Sequence, residues 1–215
     1  MMKIIYYLTM TRSRKMIVQM YGKSFYVQFK KRSDSWFKRV FKETPDIGES
    51  IFSFNYAYAP SYVAWYKAMM ESGMNQKQAD ELMWHLNEKM LLTVPKPLLH
   101  MVGKIYLNGF RKKAKQHMLR QESGKLHPFD WEIEYRDINE NEFMINIRKC
   151  GFIAYAEKFD AKGILPGICA VDYIVAYYMK NGFYRTKTLG YGDDCCDCRY
   201  ALNGSCSLRP EKGQK

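Results

Sequence analysis

Phe183 to Leu202 reads FYRTKTLGYGDDCCDCRYAL, and the fold turns on how this stretch is read. Two runs rich in Tyr, Thr and aromatic residues flank Gly190-Tyr191-Gly192-Asp193-Asp194, which is the pattern of a β-hairpin around a turn. At the neck of that hairpin stand Arg185, the carboxylate of Asp197 and three clustered cysteines, Cys195, Cys196 and Cys198. Soft nucleophiles, a carboxylate and a guanidinium this close together are more than a bare scaffold needs.

Working outward, a first hairpin precedes this one. Trp131, Ile133 and Tyr135 alternate with Glu132, Glu134 and Arg136; a turn follows over Asp137 to Asn141; then Phe143, Ile145 and Ile147 alternate with Met144, Asn146 and Arg148. Period-two alternation of this kind gives a hairpin with one wet face. Gly151 to Met179 reads as a helical connection broken at Gly163, Pro166 and Gly167. Cys169, Asp172, Tyr173 and Ala176 share one side of its last helix. The unit is strand-strand-helix-strand-strand, an antiparallel sheet whose other face is left for helices to cover or wrap.

The first half is helical. Met16, Ile17, Met20 and Tyr21, then Phe25, Tyr26 and Phe29, then Trp36, Phe37, Val40 and Phe41 recur at helical spacing, with breaks expected at Gly22 and at Ser33-Asp34-Ser35. Pro60 opens a helix that Gly73 ends. Asn75 and Gln78 form a capping-box pattern ahead of Ala79, Leu82, Met83, Leu86 and Met90. Pro95 and Pro97 separate that helix from another through Leu98, Val102, Ile105, Tyr106 and Phe110, where Arg111, Lys112, Lys113 and Lys115 suit the last turns of a helix dipole. The expected class is α+β: amino-terminal helices packed on an antiparallel sheet of two hairpins joined by a crossing helix. One domain is expected, with a helical part over 1–122, a ββαββ ligand-binding part over 123–203 and a polar tail over 204–215.

Composition narrows the function classes. The chain has 215 residues, 47% hydrophobic and 15% aromatic, enough to bury a full core. No apolar stretch approaches the ~20 residues that span a bilayer. Met1 to Met10 runs directly into Arg12, Arg14 and Lys15 with no small-residue cleavage site, so a cytoplasmic protein is expected. All six cysteines fall between Cys150 and Cys206, and in that compartment they read as reduced thiols, metal ligands or packing residues. The net charge of +12 is uneven: residues 1–125 carry +13 and residues 126–215 carry −1. With no nucleic-acid motif and charges interleaved with apolar positions, the excess reads as solvated helix faces. Neither nucleic acid nor a membrane is expected as a partner, and a homodimer is left possible.

Arg185-Thr186-Lys187-Thr188-Leu189, then Gly192, then Cys196-Asp197-Cys198-Arg199-Tyr200 resembles the signature of the L-2-amino-thiazoline-4-carboxylic acid hydrolase family, which runs Arg-Thr-any-Thr-Leu, a Gly, and Cys-Asp-Phe-Arg-Phe. Cys198 stands where the family prefers Phe, and Cys195 is extra. Cys150 and the spacing of Cys169 to Asp172 also fit. A more distant resemblance is to four-vinyl-reductase-like small-molecule-binding domains, whose last hairpin contributes a Glu and two Cys to a zinc site. The equivalent positions here are Arg185, Thr188 and Cys196, a set in which a cation replaces a ligand, so no metal and no cofactor is expected.

The first resemblance implies ring-opening hydrolysis of a cyclic amidine-like amino acid, or a non-catalytic sensor or carrier on the same scaffold. Water must add to the ring carbon between nitrogen and sulfur, lose a proton, and expel a thiolate while the substrate carboxylate is held. Arg185 is the natural carboxylate clamp, and equally one half of a structural ion pair with Asp172 or Asp197. Asp172 or Asp197 is the candidate base, given burial enough to raise its pKa. Thr186 or Thr188 orients water or substrate, Cys196 is an alternative nucleophile where a cation lowers its pKa, and Cys150 and Cys169 line the substrate site or simply pack.

Overall fold

The computed structural model describes residues 2–209. Six helices come first: α1 (Met2–Tyr21), α2 (Lys23–Glu43), α3 (Ser53–Tyr56), α4 (Ala59–Glu71), α5 (Gln76–Leu91) and α6 (Lys96–Glu122). Then follow β1 (Glu132–Asp137), β2 (Glu142–Lys149), α7 (Gly151–Lys158), α8 (Leu165–Cys169), α9 (Val171–Met179), β3 (Gly182–Tyr184) and β4 (Cys196–Ala201). The class is α+β. The polar tail expected over 204–215 is described as far as Arg209, and its remainder lies outside the described residues.

Local chemistry sets most boundaries. Gly22, at φ 87°, parts α1 from α2 in a conformation that a side chain would strain. The capping box is built as expected: the Asn75 side chain accepts from the Gln78 amide and the Gln78 side chain from the Asn75 amide, both at 3.0 Å. Three expectations are corrected. α1 begins at Met2, well ahead of Met16, because Tyr6, Thr9, Met10, Ser13 and Ile17 form its buried stripe. α2 runs unbroken through Ser33-Asp34-Ser35, since the Ser33 hydroxyl is buried against the Tyr6 hydroxyl at 2.7 Å and Asp34 pairs with Lys30. Arg111 to Lys115 lie inside α6, which continues to Glu122; Arg111 reaches across to Asp137 and to the Asn139 and Glu140 carbonyls, tying α6 to the first hairpin.

The sheet order is β1-β2-β4-β3, antiparallel throughout. Its inner face carries Ile133, Phe143, Ile145, Cys196, Cys198 and Tyr200, all buried under the helices. Phe143 stacks on Tyr200 with ring centroids 5.1 Å apart, and Phe110 of α6 meets Tyr200 edge-on at 5.4 Å. Full burial of such side chains contributes about 1.5–3 kcal/mol each. The opposite face bears Glu134, Asn146, Arg148, Asp197 and Arg199, joined by pairs such as Arg148 to Glu134. That face is open to water.

The closing hairpin departs from a simple ribbon. β3 has three residues, and residues 185–195 form a loop with one 3-10 turn at Leu189–Tyr191. Asp197 accepts from the Thr186 and Lys187 amides, and Asp193 from the Thr188 amide. Donors that would extend the ladder are taken by side chains instead.

Candidate functional site

Arg185 leaves the end of β3 and turns inward, with its side chain 5% exposed. Its guanidinium lies against the Tyr173 and Phe183 rings, 5.3 Å from each centroid. Nη1 donates to Asp172 Oδ2 at 2.8 Å and Nη2 to the Cys169 carbonyl at 2.7 Å. Nε is buried without a partner among the described residues. Both arms of the fork expected to clamp a carboxylate are therefore engaged within the protein.

Asp172 sits in the first turn of α9, where a negative charge suits the helix dipole. Burial pushes its carboxyl above the ordinary value even though Arg185 pulls the other way. Its side chain keeps 29% exposure. It is thus a carboxyl held in place, raised toward neutrality and still reachable.

The thiols surround this pair as neutral groups. Burial pushes Cys196 up to about 11, against the opposing pull of the Leu189 amide, which donates to its sulfur at 3.2 Å, and of Arg185. Cys169 and Cys198 are raised by burial in spite of Arg185. Cys150 stands at the start of α7, where its carbonyl accepts from the Ile153 amide at 3.1 Å, and burial raises its thiol. The lowered Cys196 pKa that nucleophilic attack requires is not what this environment produces.

Asp197 belongs elsewhere. Because side chains alternate along β4, Cys196 and Cys198 point inward and Asp197 points to the open face. Burial acts upward on its carboxyl, but the Thr186 hydroxyl and the Lys187 and Thr186 amides outweigh it and hold the pKa below the ordinary value. That is the reverse of what a base near neutral pH needs. Thr186 is committed to Asp197, and Thr188 is buried under the loop. The sequence-derived set thus splits: Arg185, Asp172, Cys169, Cys150, Cys196 and Cys198 lie on the inner side, Asp197 and Thr186 on the outer.

A narrow slot opens beside Asp172 with a cavity volume of about 30 Å³. It lies between α6, α9 and the sheet, walled by Tyr106, Phe110, Phe183 and Tyr200, and reaches Asn181 past Ala176. Neither Asn181 nor Tyr106 stood out in the sequence. A lone Asn after a helix reads as a cap, and Tyr106 reads as one more core aromatic.

One polar cluster that sequence reasoning left apart is brought together. Ser50 donates to buried Asp130 at 2.5 Å, while His117 spans the Ile51 amide at 3.4 Å and the Trp131 carbonyl at 2.8 Å. Both ring nitrogens face backbone and the serine faces the carboxylate, so the three residues staple the 44–52 loop to β1 and form no nucleophilic relay. Among the described residues no three His, Cys, Asp or Glu side chains gather to hold a metal ion, and no helix is long and apolar enough to cross a membrane. Of the basic residues of the helices, Lys30, Arg32 and Arg39 of α2 are engaged with Asp34, Ser72 and Glu43, and Lys112 lies on α6.

Comparison with the curated proteins gave no match. The family model described as L-2-amino-thiazoline-4-carboxylic acid hydrolase matches residues 54–200, well over half of the chain, a span that includes Asp172, Arg185 and every residue lining the slot except Phe52. The chain belongs to the L-2-amino-thiazoline-4-carboxylic acid hydrolase family.

Proposed function

We propose that this protein is a small-molecule hydrolase that opens the ring of a cyclic amidine. One observation carries the reading: a carboxyl raised by burial, Asp172, lies in the segment that the family model matches and borders an aromatic slot. Asp172 takes a proton from water as the water oxygen bonds to the ring carbon between nitrogen and sulfur, and the carbon–nitrogen double bond gives its electron pair to the ring nitrogen, which takes up a proton. The tetrahedral carbon then releases the ring sulfur as a thiolate, which is protonated, and the hydroxyl proton is lost as the carbonyl forms. One water is consumed, nothing is oxidised, and the product is a urea with a free thiol. With its fork engaged, Arg185 serves to position Asp172 in place of clamping the substrate carboxylate. The six free thiols support a reducing, cytoplasmic setting, and this chemistry calls for no cofactor.

The test follows thiol release from L-2-amino-thiazoline-4-carboxylic acid and from 2-amino-thiazoline with an aromatic disulfide reagent. Asp172→Asn, checked for folding by near-ultraviolet circular dichroism, is expected to lose about a hundredfold or more in turnover. Wild-type turnover in the folded variant would remove Asp172 from the mechanism. A sensor or carrier is the second reading, favoured by the engagement of both Arg185 arms and by the neutral thiols; it predicts binding with no thiol released.

A further inference from the structure

α1 and α2 form a surface that shares no residue with the slot. The two helices run antiparallel: the Lys3 ammonium lies 4.8 Å from the Phe41 ring centroid, Tyr7 meets Phe37 edge-on at 6.3 Å, and the Arg14 guanidinium lies 5.9 Å from the Tyr26 ring. The buried stripe of α1, from Tyr6 through Met10 to Ile17, faces the interior. Ile4, Leu8, Thr11 and Lys15 therefore line the opposite side, one turn after another. Ile4 is 64% exposed, Leu8 42% and Tyr7 40%. Single exposed apolar side chains are ordinary, but these three adjoin one another at one end of the helix pair.

The ground around them is cationic. α1 and α2 hold 11 Lys/Arg against two Asp/Glu, and both acids are already engaged, Asp34 by Lys30 and Glu43 by Arg39. Lys31, Lys38 and Lys42 recur at helical spacing on the exposed side of α2, with no acidic partner among the described residues. Lys38 and Lys42 directly follow Phe37 and Phe41, the residues that meet Tyr7 and Lys3, so the lysine row runs beside the apolar group. Lysines that interleave with apolar positions solvate a helix when those positions are buried. Here the apolar side chains are exposed along with the lysines.

Aliphatic groups set among unpaired cations match the boundary between acyl chains and anionic headgroups. A nucleic acid would use the lysines and gain nothing from Ile4 and Leu8. A second copy, docked about a twofold axis, would set this cationic face against its equal.

We propose that the outer face of α1 and α2 docks on a bilayer surface bearing anionic headgroups: Ile4, Tyr7 and Leu8 enter the edge of the acyl region, and Lys3, Lys31, Lys38 and Lys42 lie at headgroup level. Docking is peripheral, since no helix among the described residues is long and apolar enough to cross. It is independent of the reaction at Asp172.

Co-sedimentation of the full chain with vesicles tests this, using phosphatidylcholine alone and phosphatidylcholine with about a third phosphatidylglycerol. The wild type is expected to partition about a hundredfold or more strongly onto the mixed vesicles and to come off as salt rises. Lys31→Gln/Lys38→Gln/Lys42→Gln, checked for folding by circular dichroism, is expected to lose about a hundredfold on the mixed vesicles. Ile4→Gln/Leu8→Gln keeps the charge and is expected to lose about tenfold. Equal partition on the two vesicle types, or undiminished binding by either folded variant, overturns the proposal. So does tighter retention by duplex DNA than by the mixed vesicles, or a dimer in analytical ultracentrifugation that Ile4→Gln/Leu8→Gln dissolves. The wild-type vesicle comparison and its salt dependence decide the matter even where a variant fails to fold.

Discussion

Arg185→Met is the most searching perturbation of the site. Methionine keeps an unbranched stem against the Tyr173 and Phe183 rings, while the 2.8 Å pairing with Asp172 and the 2.7 Å bond to the Cys169 carbonyl are lost. Breaking a buried pair from one side costs about 3–5 kcal/mol. Asp172 keeps 29% of its side chain in solvent, and screening there places the expected loss at the lower end, about 3 kcal/mol. For a chain of this length that lowers the thermal midpoint by roughly 6–12 °C at pH 7. A pH signature accompanies it. Arg185 is what opposes the effect of burial on Asp172, so the variant's Asp172 is raised further. A carboxyl whose folded pKa exceeds its unfolded value contributes its full stability below about pH 4 and loses it as pH climbs through the folded pKa. The deficit of Arg185→Met is therefore largest near neutrality and narrows in acid. Urea unfolding of the wild type, Arg185→Met, Asp172→Asn and the double variant at pH 7 and pH 5 measures both effects, with the double variant losing less than the sum of the singles. A loss under about 1 kcal/mol at pH 7, or a deficit of the same size at both pH values, refutes the buried-pair reasoning.

Three further predictions concern the frame of the site. In Gly103→Ala the added Cβ would lie 2.2 Å from the Met179 carbonyl oxygen, prising α6 from α9; a loss of about 1–3 kcal/mol in chemical denaturation is expected, and unchanged stability would contradict the close approach. Cys196, pushed up to about 11 and 5% exposed, should react with iodoacetamide at pH 7.5 roughly a hundredfold or more slowly in the native protein than in urea. Equal rates in peptide mapping would show that the thiol is neither buried nor neutral. Asn75→Ala removes the half of the capping box in which the side chain accepts from the Gln78 amide, leaving the backbone amide at 75 to donate to the Gln78 side chain, and should cost about 0.5–2 kcal/mol in a thermal or urea melt, with no loss counting against that role.

The strands of the first hairpin, the helix-connected ββαββ order and the capping box were legible because each rests on contacts close in sequence. Alternation from Trp131 to Arg148 and the Asn75 to Gln78 spacing need no tertiary knowledge. α1 was only half legible because Thr9 and Ser13 occupy buried positions, and a stripe interrupted by hydroxyls hides its period even though positions 6, 10, 13 and 17 keep it. Ser33 was misread for the same reason: its partner is Tyr6, a helix away. In the site, Arg185 and Asp172 were legible as a candidate ion pair from composition and spacing. Which aspartate Arg185 meets was not, because that choice depends on the pleat of β4 sending Asp197 to the opposite face.

β4 is the last strand made, yet it lies between β2 and β3. A nascent chain emerging from the ribosome can form its helices and the β1-β2 hairpin early, but the ladder that joins Phe143 to Tyr200 waits for residues near position 200 to be translated. Until then the edge of β2 that β4 will pair has no neighbour strand, and the aromatic wall contributed by Tyr200 is missing. The complete sheet is therefore a late product of translation, and a prematurely released chain ending before Cys196 presents an unpaired strand edge to quality control.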